Sequence, residues 1–235
     1  MSGALLETRA LEVFYGDFQA LFGVDVTISE GETVAIIGAN GAGKSSFLNA
    51  LAGLNPARGE QIVLEGAPVG GTPAYQMVRK GVALVPEGRR LFPSLSVEEN
   101  LLVGRHGMSV DRGWTLEAIY GLFPILKERR NQPATTLSGG QQQQVAIGRG
   151  LMSNPKVLLC DEISLGLAPN VIKDVYKAIE EIKRRGTTVL IVEQDLSAAL
   201  SAADRVYCFM EGKVSLEGRP SELTKEQIQN AYFGL

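Results

Sequence analysis

An α/β fold built on a parallel sheet, with antiparallel β at its start and a helical lobe inserted partway along, is predicted by three features of this 235-residue sequence. First, short apolar runs of strand length, among them Val34 to Ile37, Val82 to Val85 and Val157 to Cys160, alternate with segments of helical period, the pattern of βαβ crossovers. Second, Leu6 to Phe14 and Val24 to Ile28 alternate apolar and polar residues, as half-buried antiparallel strands do. Third, the strand signal lapses between Pro86 and about Ser153 and then returns.

Along the chain, Gly16-Asp17 separates the first two strands and Glu30-Gly31 turns the second into Val34 to Ile37. Glycine-rich Gly38 to Gly43 follows, and Ser45 to Leu54 carries helical spacing. Ile62 to Leu64 and Val82 to Val85 are further strand candidates, with a short helix at Tyr75 to Lys80 between them. In the lobe, Ser96 with Glu99 three residues on forms a capping box, while Gly104 to Gly113 and Asn131 to Thr136 interrupt the helices. Pro169 opens a long helix whose Val171, Ile172, Val175, Ile179 and Ile182 share one face, and Gly186 stops it. A strand at Thr187 to Val192, a hairpin around Glu211-Gly212 and a terminal helix after Ser221 complete the reading. The expected organisation is one domain over 1–235, with a core of 1–85 and 154–235 and a helical subdomain at 86–153.

Composition narrows the function. With 23 basic and 26 acidic side chains the net charge is −3, which gives no electrostatic reason to expect a nucleic-acid partner. The short basic clusters Lys127 to Arg130 and Lys183 to Arg185 suit solvated helix ends. No apolar run approaches the ~18 residues of a membrane span, and the start shows no basic patch followed by an apolar stretch, so neither a span nor a secretory leader is expected. Cys160 and Cys208 each sit inside an apolar run, without metal-ligand spacing, which suits a reducing cytoplasm. The 27 glycines, about 11% against a usual share of roughly 7%, are the outlier.

Part of that surplus has a chemical use. Gly38-Ala39-Asn40-Gly41-Ala42-Gly43-Lys44-Ser45 fits G-x-x-x-x-G-K-[ST] directly after a strand and at the opening of a helix. Glycines there let backbone N–H groups converge on a polyphosphate, and the helix N-terminus adds positive potential. Lys44 supplies a point charge for the β and γ phosphates, Ser45 a hydroxyl for Mg²⁺, and the Ser46 amide reaches the α phosphate. A second apolar strand ends in Asp161-Glu162. Asp161 is expected to hold Mg²⁺ through water, and Glu162 to polarise a water attacking the γ phosphate. Together these make a P-loop ATPase or kinase the leading class, with a RecA-like core.

Leu137-Ser138-Gly139-Gly140-Gln141 is a second anion site of the same chemistry, a serine hydroxyl and two glycine amides opening a helix that runs to about Met152. With it, P-loop and acidic strand stand in an order and spacing that resemble the ATP-binding cassette (ABC) ATPases over essentially the whole chain. The resemblance implies that Ser138, Gly139, Gly140 and Gln141 of one subunit close on the γ phosphate held by the P-loop of another, in a head-to-tail dimer enclosing two ATPs. It also implies that Tyr15 stacks on adenine, while Phe14 points to the opposite face of its strand, and that Ser164 to Pro169 contacts the second subunit. In that segment Leu167 stands where the family usually has Asp.

Two further departures are informative. Glu87 occupies the place of the family's Gln, where it could still ligate Mg²⁺ or position water but adds negative charge beside a triphosphate. Gln194 occupies the place of the switch histidine; it can donate a hydrogen bond to the γ phosphate but cannot carry a proton near neutral pH. His106, the one histidine, falls in a loop of the lobe and is expected to be a bystander. VPEGRRLFPSLSVEENL from Val85, SLGLAP from Ser164, VEQ from Val192 and the final Ala231-Tyr232-Phe233-Gly234 resemble one of the two ATPase subunits of branched-chain amino-acid importers, with urea and short-chain amide importers similar and a soluble non-transport ABC ATPase as a rival class. Implied with it are integral-membrane permease subunits, a second ATPase subunit (a paralogue or a second copy), an indirect link to a solute-binding protein, and a peripheral place on the cytoplasmic face of the inner membrane.

Overall fold

The computed structural model describes residues 3–106 and 113–234, so 107–112 of the expected break at Gly104 to Gly113 lie outside the described residues. Strand β1 (Ala4–Tyr15) turns at Gly16-Asp17 into the antiparallel β2 (Phe18–Ser29), with Tyr15 opposite Phe18. β2 starts well before Val24 because register shifts in β1 and the left-handed Gly23 (φ 77°) break the alternation on which the reading relied. The wholly buried β3 (Thr33–Ile37) feeds the glycine loop and then α1 (Lys44–Leu51), which stops short of Leu54. The stop is at Gly53 (φ 72°), where a Cβ would lie 2.3 Å from the Thr72 carbonyl oxygen.

β4 (Ile62–Leu64) pairs with β1 and carries the two-residue β5 (Ala67–Pro68), completing a four-stranded sheet of order β2-β1-β4-β5. After α2 (Ala74–Lys80), Gly81 in the left-handed conformation turns the chain into β6 (Val82–Val85). The lobe then supplies α3 (Val97–Val103), α4 (Leu116–Leu122), α5 (Pro124–Glu128) and α6 (Gly139–Leu151), and among its described residues the only strand-like pairing is the bridge of Ser96 with Pro133. The capping box of α3 forms as read: the Ser96 hydroxyl accepts from the Glu99 N–H, and Glu99 accepts from the Ser96 N–H. β7 (Val157–Asp161), α7 (Pro169–Arg184), β8 (Thr188–Glu193), α8 (Leu196–Ala202), β9 (Arg205–Met210), β10 (Lys213–Gly218) and α9 (Lys225–Phe233) follow.

The central sheet runs β10-β9-β3-β8-β7-β6, parallel throughout except for the β9–β10 hairpin. Its middle strands are apolar on both faces, as a sheet covered on both sides requires. Val157 and Leu159 of β7, with Leu190 and Val192 of β8, face the cluster shared with α1 and the antiparallel sheet. Leu158, Cys160, Val189 and Ile191 face the opposite cluster with α6 and α7. Each fully buried Leu, Ile or Val contributes roughly 1.5–3 kcal/mol, so two such layers fix the strand register. That register sets Ile37 beside Glu193 and Asp161 beside Val192, gathering the carboxyl ends of β3, β7 and β8 at one edge, where open α/β sheets bind ligands.

Candidate active site

The loop between β3 and α1 is shaped by two close approaches. A Cβ on Gly38 would lie 2.3 Å from the Phe209 carbonyl oxygen, and one on Gly43 2.6 Å from Leu21 Cδ2, so neither position admits a side chain. From outside, the Gly212 N–H donates to the Ala42 carbonyl (3.1 Å) and the Phe22 N–H to the Gly212 carbonyl (2.9 Å), so β2 and the β9–β10 turn brace the loop. Inside, the Lys44 ammonium donates to the carbonyls of Gly38 (2.7 Å) and Ala39 (3.1 Å). Burial lowers the Lys44 pKa, opposed by the negative charge of Glu162 and Asp161.

At the end of β7 the Ser45 hydroxyl donates to Asp161 Oδ1 (3.2 Å). Asp161 is 6% exposed, and burial pushes its carboxyl up from 3.8 to about 6, with the hydroxyl bond acting against the rise. Glu162 sits in the left-handed region (φ 46°) with its N–H on the Val192 carbonyl (2.9 Å), which swings its side chain out of the strand's alternation. Its Oε1 accepts from Gln194 Nε2 at 2.6 Å. Asn40, Gly41, Gly43, Lys44, Ser45, Ser46, Glu87, Glu162 and Gln194 line one cleft of about 280 Å³. Tyr15 stands beside it, its hydroxyl donating to Ser46 Oγ (3.2 Å) and accepting from Asn55 (2.6 Å). Phe14 and Tyr15 are both 48% exposed.

The remaining residues singled out from the sequence lie elsewhere. Ser138 caps α6, its hydroxyl accepting from the Gln141 N–H while Gln141 Oε1 accepts from the Ser138 N–H. Gly140 is held against Val171, where a Cβ would lie 2.4 Å from the valine's Cγ1, and Gly139 faces the Arg89 guanidinium. None of these four lines the cleft among the described residues. His106 is exposed in the turn after α3, on a different cavity. Arg149 of α6 is a further contributor that the sequence does not point to: its guanidinium donates to the carbonyls of Arg89 (2.9 Å) and Arg90 (2.8 Å), both left-handed, and so ties the segment carrying Glu87 to α6. No sequence pattern marks that clamp, since it joins residues far apart in the chain.

The Asp161 shift has a measurable consequence. Below pH 3.8 the carboxyl is protonated whether the chain is folded or unfolded; between 3.8 and 6 only the folded state holds the proton, and above 6 the fold carries the full penalty of a buried charge. At about 1.4 kcal/mol per pKa unit the penalty is about 3 kcal/mol. Asp161→Asn is therefore expected to raise the nucleotide-free melting temperature by roughly 6–12 °C at pH 7.5 and much less at pH 4.5, measured by calorimetry. Equal shifts at both pH values would refute the assignment of the penalty to ionisation.

Comparison with known proteins agrees with this geometry. Residues 21–164 match the family described as ABC transporter. The chain is similar to the high-affinity branched-chain amino acid transport ATP-binding protein BraG of Pseudomonas aeruginosa, 44% identical over 98% of this chain and 100% of that protein. It is likewise similar to the transport ATP-binding protein LivG of Salmonella typhimurium, 30% identical over 100% of this chain and 99% of that protein. Among solved structures it resembles an ATP-binding cassette of an ABC transporter in its ADP conformation, with a TM-score of 0.81 and 29% identity over 97% of this chain and 94% of the other.

Proposed function

The chain belongs to the ABC transporter family as an ATP-binding, ATP-hydrolysing subunit, and from that premise we propose that it energises an importer of branched-chain amino acids. The observation that carries the ATPase chemistry is the single cleft holding Lys44, Ser45, Glu87, Glu162 and Gln194, with Asp161 behind Ser45. The solute class is supported by the relatives, whose names describe branched-chain amino acid transport.

In this reading the loop amides from Asn40 to Ser46 and the Lys44 ammonium hold the phosphates, and Tyr15 holds the adenine. Glu162 takes a proton from the attacking water, while Gln194, already donating to Glu162, keeps the carboxylate aimed into the cleft. The donor set fits a hard divalent cation such as Mg²⁺. A hydroxyl and a buried carboxylate stand 3.2 Å apart with Glu87 in the same cleft, and no cluster of three or more His, Cys, Asp or Glu among the described residues would hold an ion without the nucleotide. Such a cation supplies charge neutralisation at the β and γ phosphates.

One subunit leaves Ser138 to Gln141 outside its own cleft, which supports a head-to-tail dimer in which a second copy or a paralogue supplies them. Residues 86–153 act as the lobe that transmits closure. Between that lobe and the core, Tyr75, Val78, Arg79, Leu84, Val103 and Arg149 line a cavity of about 430 Å³, where we place a short cytoplasmic helix of the permease. Among the described residues no helix is long and apolar enough to cross a membrane, so attachment to the cytoplasmic face of the inner membrane comes through that partner. A solute-binding protein acts on the permease and does not touch this chain.

Purification from membranes tests the assembly. Recovery with two integral-membrane permease subunits and a second ATP-binding subunit is expected, and recovery with nucleic acid instead would overturn it. Tyr75, 62% exposed, is expected to lose that recovery as Tyr75→Asp while retaining ATP binding. ATP-driven leucine uptake by the assembled complex in vesicles tests the solute; uptake of urea without leucine would refute it.

A further inference from the structure

Glu193, the last residue of β8, is 2% exposed. It ends a strand that is otherwise threonine, valine, leucine and isoleucine, where an apolar side chain would satisfy the packing, so a buried carboxylate there needs a purpose. Its two oxygens are taken by one residue: Oε1 accepts from the Ser164 N–H (3.1 Å) and Oε2 from the Ser164 hydroxyl (2.7 Å). The buried hydroxyl of Tyr176, on α7, lies near the same carboxylate and has no hydrogen-bond partner within ordinary bonding distance among the described residues.

The surroundings show what this pair connects. On one side of Glu193, the Val192 carbonyl accepts from the Glu162 N–H; on the other, Gln194 donates to the Glu162 carboxylate. Residues 162 and 164 are thus fastened to residues 192, 193 and 194 at three successive points, and the middle one is the buried two-point bond. Beyond Ser164 the chain turns out through exposed Leu165 and left-handed Gly166 to the start of α7.

We infer that the Glu193–Ser164 pair is a positioning tie, which keeps the Glu162 carboxylate and the Gln194 amide in register and makes the segment beginning at Ser164 move as one piece with them. The inference rests on the reading of Glu162 as base. Nucleotide binding depends on the loop at 38–46, which the tie does not touch, so its loss is read in turnover and not in affinity.

Steady-state ATPase kinetics of the full-length protein test this. Ser164→Ala is expected to lower kcat about tenfold with KM for ATP unchanged within about twofold. Glu193→Ala, which also frees the Ser164 N–H, should lose at least as much, and the double variant should be no worse than Glu193→Ala, because the hydroxyl bond is already gone there. Glu193→Gln should recover most of that loss, since its amide offers an oxygen to the Ser164 N–H and an N–H to the Ser164 hydroxyl. Ser164→Ala removes a single oxygen and carries the test even where Glu193→Ala does not fold. Losses that multiply in the double variant, a rise in KM at constant kcat, or an unaffected Ser164→Ala would overturn the tie. Glu162→Gln assayed in parallel separates the two claims, because undiminished turnover there would overturn the base itself.

Discussion

Glu162→Gln is expected to keep ATP affinity and to lose turnover by about 10² to 10⁴, the usual worth of a general base. The substitution changes no volume and leaves an oxygen to accept from Gln194 Nε2, so the 2.6 Å contact and the cleft around it persist. What disappears is the basic carboxylate at a position the backbone is bent to provide: a non-glycine residue at φ 46°, placed immediately after the buried Asp161. Because binding survives and hydrolysis does not, chains loaded with ATP should accumulate as the two-subunit assembly, visible by light scattering with ATP and absent with ADP. Phosphate release measured with contaminating ATPases excluded gives the decisive number. Wild-type release would remove Glu162 from the mechanism, and loss of ATP affinity in the same variant would show that it serves binding instead.

That Glu162 can be singled out from sequence, while the buried Glu193–Ser164 bond beside it cannot, follows from where each signal resides. The loop at Gly38 to Gly43 and the acids at the end of β7 are local patterns, tied to strands whose apolar runs mark them, and the structure places Glu87 and Gln194 in the same cleft. The capping box at Ser96 is legible for the same reason, since its partners lie within three residues, whereas the matching box of Ser138 with Gln141 emerges only in the structure. By contrast, the Arg149 clamp, the Gly212 brace and the Glu193–Ser164 bond join residues remote in sequence, and only the packed sheet brings them together. α8 is not legible although Asp195 caps it, accepting from the Ser197 and Ala198 N–H groups, because its two turns are too short to establish a helical period. β4 is legible as a strand, but nothing in three residues tells which sheet it joins.

Lys44→Ala is expected to act in the opposite sense to Glu162→Gln, abolishing affinity before chemistry is reached. The cleft lines Lys44 with Glu87 and Glu162, and Asp161 stands behind Ser45, so one ammonium faces three carboxylates where a polyphosphate must enter. Without it the site repels its ligand, and charge-assisted hydrogen bonds of about 1.5–3 kcal/mol each are lost. An ATP affinity lower by about 30- to 1000-fold should follow, corresponding to roughly 2–4 kcal/mol. The empty fold should suffer far less. Burial already lowers the Lys44 pKa, so its charge is held at a cost, and its bonds to the Gly38 and Ala39 carbonyls offset that cost only in part. The signature is therefore a difference between two melting curves: little change without nucleotide, and loss of the ATP-induced rise that linkage gives the unsubstituted chain. Calorimetric titration supplies the affinity directly. Unchanged binding would mean that the amides of residues 40–46 hold the phosphates unaided, whereas an equal loss of stability with and without ATP would make Lys44 a structural bolt of the loop and not its phosphate ligand.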